Sequence, residues 1–213
     1  MKAYDTAVEY PSGRNNEQMI TFVSGEGGTG KTSLINQMAE YAKLHYGKQK
    51  RIYRSVVKTA PTGSAAKLSG GFTWQAVHGK SKVKRKNSCN GYMAKNTAKA
   101  VGAKTSGVKL LVIDEISMIN LETLAEISNR KIEAMLSQTD DENERNITRS
   151  KLFGGVHMLF TGDFYQLKPI HGEAMYTENP KNIKSLEIEG IKIWHSIKLA
   201  KKNEKDKNMS FSR

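Results

Sequence analysis

The 213 residues contain one cysteine, Cys89, so no internal disulfide can form and no cysteine cluster can hold a metal. Long apolar stretches are also missing. The longest unbroken aliphatic run is Leu110 to Ile113, far below the roughly 20 residues that cross a bilayer, and the first residues lack a charged-then-apolar signal pattern. No linker-like tract of Pro, Gly or Ser divides the chain, which argues for one domain over residues 1–199 and a frayed basic end over 200–213. A soluble intracellular protein with neither a membrane nor a disulfide partner is expected. Acidic residues are few: 21 Asp and Glu against 34 Lys and Arg leave a formal charge of +13, which suits a polyanionic partner such as nucleic acid, or else a lysine-rich solvated surface.

What is present begins with Gly25-Glu26-Gly27-Gly28-Thr29-Gly30-Lys31-Thr32, a full match to the phosphate-loop pattern. It follows the strand-like run Met19 to Val23 and precedes a helix-like run through Ser33, Leu34 and Ile35. Glycines there let backbone N–H groups approach phosphate oxygens at a helix N-terminus. Lys31 would reach the outer phosphates, and the Thr32 hydroxyl is the usual magnesium ligand, because a hard cation prefers oxygen. Gly25 through Ser33 are therefore the candidate nucleotide-binding residues, with Mg2+ as the accompanying ion. Kinases, GTPases, transport ATPases and helicases share the motif, so which nucleotide and reaction it serves is left to the rest of the chain.

Further strands and acids fit this reading. A strand over Ile52 to Val57 completes a strand–helix–strand crossover, which belongs to a parallel sheet and puts ligands beyond the strands' carboxyl ends. Lys109 to Ile113 reads as a strand covered on both faces, and Asp114 and Glu115 follow at its carboxyl end. Asp114 would hold the magnesium shell and Glu115 would polarise the attacking water. A strand over Val156 to Phe160 leads to Gln166, an uncharged amide suited to sensing the third phosphate. Met1 to Tyr10 carries apolar residues at helical spacing, and a helix is expected from Asn120 to about Leu136, followed by an exposed loop over 138–151. Trp74 reads as core, and His78 as a helix-end or surface residue. Residues 79–107 hold eight Lys or Arg and no Asp or Glu. This basic insertion, led by Lys80, Lys82, Lys84, Arg85 and Lys86, would bind phosphates without reading sequence, or stand as a disordered surface segment. Phe72 is a candidate for stacking on bases.

Taken in order, the phosphate loop, Thr59-Ala60-Pro61-Thr62-Gly63, Gly70-Gly71-Phe72-Thr73, Ile113-Asp114-Glu115-Ile116-Ser117-Met118, Phe153-Gly154-Gly155 and Gly162-Asp163-Phe164-Tyr165-Gln166-Leu167 resemble the Pif-one DNA helicases, relatives of RecD in helicase superfamily one. The match covers about Ala3 to Ile170. The resemblance implies an α/β, RecA-like phosphate-loop NTPase domain with a central, mostly parallel sheet flanked by helices. It also implies an ATP-driven motor moving five-prime to three-prime on single-stranded or forked DNA, in repair, recombination and telomere maintenance, in the nucleus or mitochondrion of a eukaryote. Lys31, Glu115 and Gln166 would be catalytic, and Thr59, Thr62 and Gly63 would face the DNA backbone. Gln75 stands where the family usually has a histidine, and Lys168 where it tends to have a proline. Motifs of a second RecA-like domain are not found, which leaves two readings open: the first motor domain of such a helicase, unable to unwind alone, or a DNA-binding remnant without turnover.

Overall fold

In the computed structural model, which describes residues 18–46, 55–80, 92–177 and 183–209, five strands form one sheet: β1 (Ile20–Ser24), β2 (Val56–Ala60), β3 (Phe72–Thr73), β4 (Leu110–Ile113) and β5 (His157–Gly162). Their order is β1-β5-β4-β2-β3, and every pairing is parallel. β4 shows why its sequence does not alternate. Leu110 and Val112 pack with Leu159 against Ile35, Met38 and Ala42. Leu111 and Ile113 point the other way, into the larger core with Met158, Phe160, Leu124 and Ile127. A parallel strand buried on both faces needs apolar side chains at every position.

Seven helices cover the sheet among the described residues: α1 (Lys31–Tyr46), α2 (Gly63–Leu68), α3 (Trp74–Val77), α4 (Lys95–Thr105), α5 (Leu121–Leu136), α6 (Glu142–Ser150) and α7 (Ser185–Met209). α1 supplies the smaller core layer. α5 lies across the other, where Asn120 caps its start by accepting a hydrogen bond from Thr123 N at 2.7 Å. This cap satisfies one of the orphan amides of the first turn. Trp194 and Ile197 of α7 join the same core.

Several expectations are corrected by the fold. The second strand begins at Val56, later than expected, and its ladders with β4, to Thr59, and with β3, to Ala60, carry it past the expected end at Val57. Part of the basic insertion, Lys95–Thr105, is the ordered helix α4, whose Ala98, Val101, Gly102 and Thr105 are buried. That spacing is one helical face, hidden in the sequence because the residues are small. The stretch 138–151 is exposed, yet most of it is not a loop: Glu142–Ser150 form the helix α6, with no buried residue. Asp141 caps α6 by accepting from Glu144 N at 2.9 Å, and Arg149 pairs with Glu142, so local polar contacts replace an apolar stripe. At the other end α7 runs through Met209, well into the tail expected to fray. The helix expected over Met1 to Tyr10, along with Cys89, lies outside the described residues. No helix of the described residues is long and apolar enough to cross a membrane.

Candidate functional site

The loop between β1 and α1 is built on conformations that favour glycine. Gly28 has φ 79° and Gly30 φ 89°, the left-handed region where a Cβ is disfavoured. A Cβ at Gly28 would meet nothing within 4 Å, so it is conformation and not crowding that calls for glycine there. The loop is tied to the sheet by Gly25 N, which donates to Gly162 O at 3.3 Å. Lys31 folds back into the loop, its ammonium donating to Gly25 O at 2.5 Å and to Glu26 O at 2.8 Å. A cation is thereby held among the backbone groups of an anion-binding turn at the start of a 16-residue helix, an arrangement suited to phosphate. Thr32 and Ser33 stand exposed in the first turn.

β4 and β5 deliver the acids to the same edge. Ser24 pairs with Gly162 and Ile113 with Phe160, so the residues after β1, β4 and β5 emerge side by side. Asp114 accepts from the Thr161 hydroxyl at 2.6 Å and from Glu115 N at 3.0 Å. Glu115 adopts φ 53° and ψ 43°. A non-glycine residue there carries strain of about 1–3 kcal/mol, of the kind concentrated at functional sites. Burial, reinforced by the neighbouring Asp114, pushes the Glu115 carboxyl above its ordinary range; Lys31 opposes this and Asp163 adds to it. Asp163 was given no role by the sequence. It is 5% exposed and directly follows the last residue of β5; its place in the Gly162-Asp163-Phe164-Tyr165-Gln166-Leu167 block, at the carboxyl end of a buried strand, is the sequence signal that could have found it.

Gln166 reaches the phosphate loop. A Cβ built on Gly27 would lie 3.6 Å from Gln166 Nε2, so segments more than a hundred residues apart meet at one point. The donor set fits a nucleoside triphosphate with magnesium: positive-φ glycines, an ammonium, a hydroxyl at a helix start, a carboxylate and an uncharged amide. Magnesium typically takes one or two protein oxygens and completes its shell with phosphate and water. Thr32 and Asp114 would supply the protein share.

The expected DNA contacts fare unevenly. Thr59 is corrected: β2 reaches Ala60 and buries it completely, and its hydroxyl donates to Val112 O at 2.8 Å, which leaves no hydroxyl for DNA. Thr62 caps α2 by accepting from Ala65 N at 3.2 Å, with Gly63 exposed beside it. Phe72 is 48% exposed, on the edge strand β3. Lys80 is not a free phosphate binder, since its ammonium pairs with Glu126 and lies 4.9 Å from the Trp74 ring centroid. Trp74 itself is core, as expected. Lys82, Lys84, Arg85 and Lys86 lie outside the described residues.

His78 ends α3 but is not on the surface. It is buried, and its Nδ1 bonds Trp74 O at 3.0 Å. Arg130 of α5 donates to His78 O at 2.9 Å and to Gly79 O at 2.8 Å, which fixes the chain as it enters the basic insertion.

Comparison with known proteins gives a consistent set of relatives. A family model described as PIF1-like helicase matches residues 1–211. The ATP-dependent DNA helicase RRM3 of Saccharomyces cerevisiae is 32% identical over 154 residues, covering 70% of this chain and 18% of that protein. The ATP-dependent DNA helicase Pif1 of a Psychrobacter species is 31% identical over 152 residues, covering 70% of this chain and 20% of its own length. Among solved structures, unliganded Pif1 from a Bacteroides species aligns with a TM-score of 0.49 at 24% identity, over 75% of this chain and 31% of that one. The chain thus spans about a fifth of the length of the curated relatives it matches.

Proposed function

We propose that this chain, which belongs to the PIF1-like helicase family, is an ATP-binding motor domain that couples ATP hydrolysis to movement on DNA. Relatives named ATP-dependent DNA helicases support the reading. The observation that carries it is the convergence of Lys31, Asp114, Glu115 and Gln166 at the carboxyl edge of the sheet, with Gln166 Nε2 3.6 Å from the position of a Gly27 Cβ. Lys31 and the loop amides would bind the outer phosphates, and Thr32 with Asp114 would hold magnesium. That ion supplies charge neutralisation at the phosphates when bound. Glu115, held in place by the strained turn and kept apart from full solvation, would orient water and accept its proton. Gln166 would bond the third phosphate. The basic surface, with Phe72, Thr62 and Gly63, would meet single-stranded or forked DNA, and a five-prime to three-prime direction with a role in repair, recombination and telomere maintenance completes the proposal.

Titration with a fluorescent ATP analogue tests the site. Lys31→Ala should lower affinity by about a hundredfold, the worth of a charge-assisted bond to phosphate together with its Coulombic share. Equal affinity in the two proteins would remove the phosphate-loop assignment, and undiminished binding after chelation would remove magnesium.

A further inference from the structure

Gln166 lies on an exposed turn, and a long amide on such a turn has no intrinsic reason to stay at the phosphate loop. Two neighbours supply one. Asp163 is a buried carboxylate, included in no ion pair among the described residues, and its Oδ1 accepts from Tyr165 N at 2.9 Å. Its carbonyl accepts from Gln166 N at 3.1 Å. Side chain and main chain of one residue thus close the turn twice, the pattern by which Asp fixes a local bend. Phe164 then anchors the turn in the core: its ring packs 5.2 Å from Phe22, 5.1 Å from Tyr176 and 5.7 Å from Trp194. Phe22 lies in β1, two residues before its end, so the turn and the phosphate loop share a support.

We propose that Asp163 is the positioning residue for Gln166: its carboxylate oxygen braces the turn that holds the amide at the phosphate loop, and so sets how strongly the site distinguishes a nucleoside triphosphate from the diphosphate. The inference rests on the nucleotide-binding reading above. A bond from Gln166 to a charged phosphate oxygen corresponds to a preference of about 10- to 100-fold for the triphosphate.

The test compares affinities of the full chain for a non-hydrolysable ATP analogue and for ADP. Gln166→Ala should abolish the preference that the amide provides. Asp163→Ala should reduce it to the same degree, the double substitution should lose nothing further, and Asp163→Asn, which keeps an acceptor oxygen, should retain it. A merely structural role would lower affinity for both nucleotides alike. Retention of the preference in Asp163→Ala, its loss in Asp163→Asn, or additive losses in the double variant would each overturn the proposal. If Asp163→Ala fails to fold, hydrogen exchange of the Tyr165 amide in the unaltered chain decides: strong protection is expected, and exchange as fast as in an open loop overturns it. Loss of Lys31-dependent binding in the unaltered chain is a different result, and refutes the site assignment itself.

Discussion

Acid should destabilise this domain through His78. The imidazole is buried, and because a carbonyl can only accept, Nδ1 carries the proton donated to Trp74 O. Nε2 is left as a buried lone pair without a partner. A second proton would put an unsatisfied N–H and a charge into that site, beside Arg130 and Lys131. Burial first, and those two cations next, depress the pKa from 6.5 to about 3, against the Trp74 bond, which raises it. Above pH 6.5 the ring is neutral in both folded and unfolded chains and contributes no pH dependence. Below it the unfolded chain binds a proton that the folded chain refuses, so stability falls with falling pH until about pH 3. Between pH 7 and pH 5 the loss is about 2 kcal/mol, from about 1.4 kcal/mol for each unit, or about 4–8 °C in melting temperature for a domain of this size. His157, also depressed chiefly by burial, adds a loss of the same sign, so the measurement must be a difference. Urea unfolding at pH 7 and pH 5 should show the unaltered chain losing about 2 kcal/mol more than His78→Asn, whose amide can still donate to Trp74 O. Equal losses in both would refute the argument.

Three further outcomes are expected. Lys131 is buried, bonds only Thr105 O and Oγ1 among the described residues, and has its pKa lowered by burial to about 8; from pH 8 to 10.5 the folded chain sheds this proton first, so the unaltered chain should gain up to about 3 kcal/mol relative to Lys131→Met, as read from parallel urea titrations, and parallel curves would refute it. Thr161→Val removes the bond to Asp114 and should destabilise the fold by about 1–3 kcal/mol, with weakened magnesium-dependent nucleotide binding by calorimetry; unchanged melting and binding would show that Asp114 needs no support. Replacing Lys82, Lys84, Arg85 and Lys86 with Ala should flatten the slope of log affinity for single-stranded DNA against log salt by up to about 3, at about 0.7 for each phosphate no longer neutralised. Substitution is preferable to deleting the insertion, since α4 packs on α5 through Ala98 and Gly102.

How legible the molecule is from its residues depends on where the information lies. The phosphate loop, the doubly covered strand ending in Asp114 and Glu115, and the cap and face of α5 are local patterns: a glycine requirement, a lack of alternation, a 3.6-residue period. The sequence by itself therefore determined the parallel α/β architecture, the nucleotide edge and its Lys31, Thr32 and Asp114 assignments as expectations. Contacts between distant segments decided the rest. Thr59 left the DNA-facing set because pairing with β4 on one side and β3 on the other took it into the sheet, and Lys80 because α5 placed Glu126 against it. α4 was invisible because Ala, Gly and Thr bury a face without looking apolar. Thr161 gained its role only when parallel pairing set β5 beside β4, because a hydrogen bond across 47 residues, such as Thr161 to Asp114, leaves no periodicity in the chain that makes it.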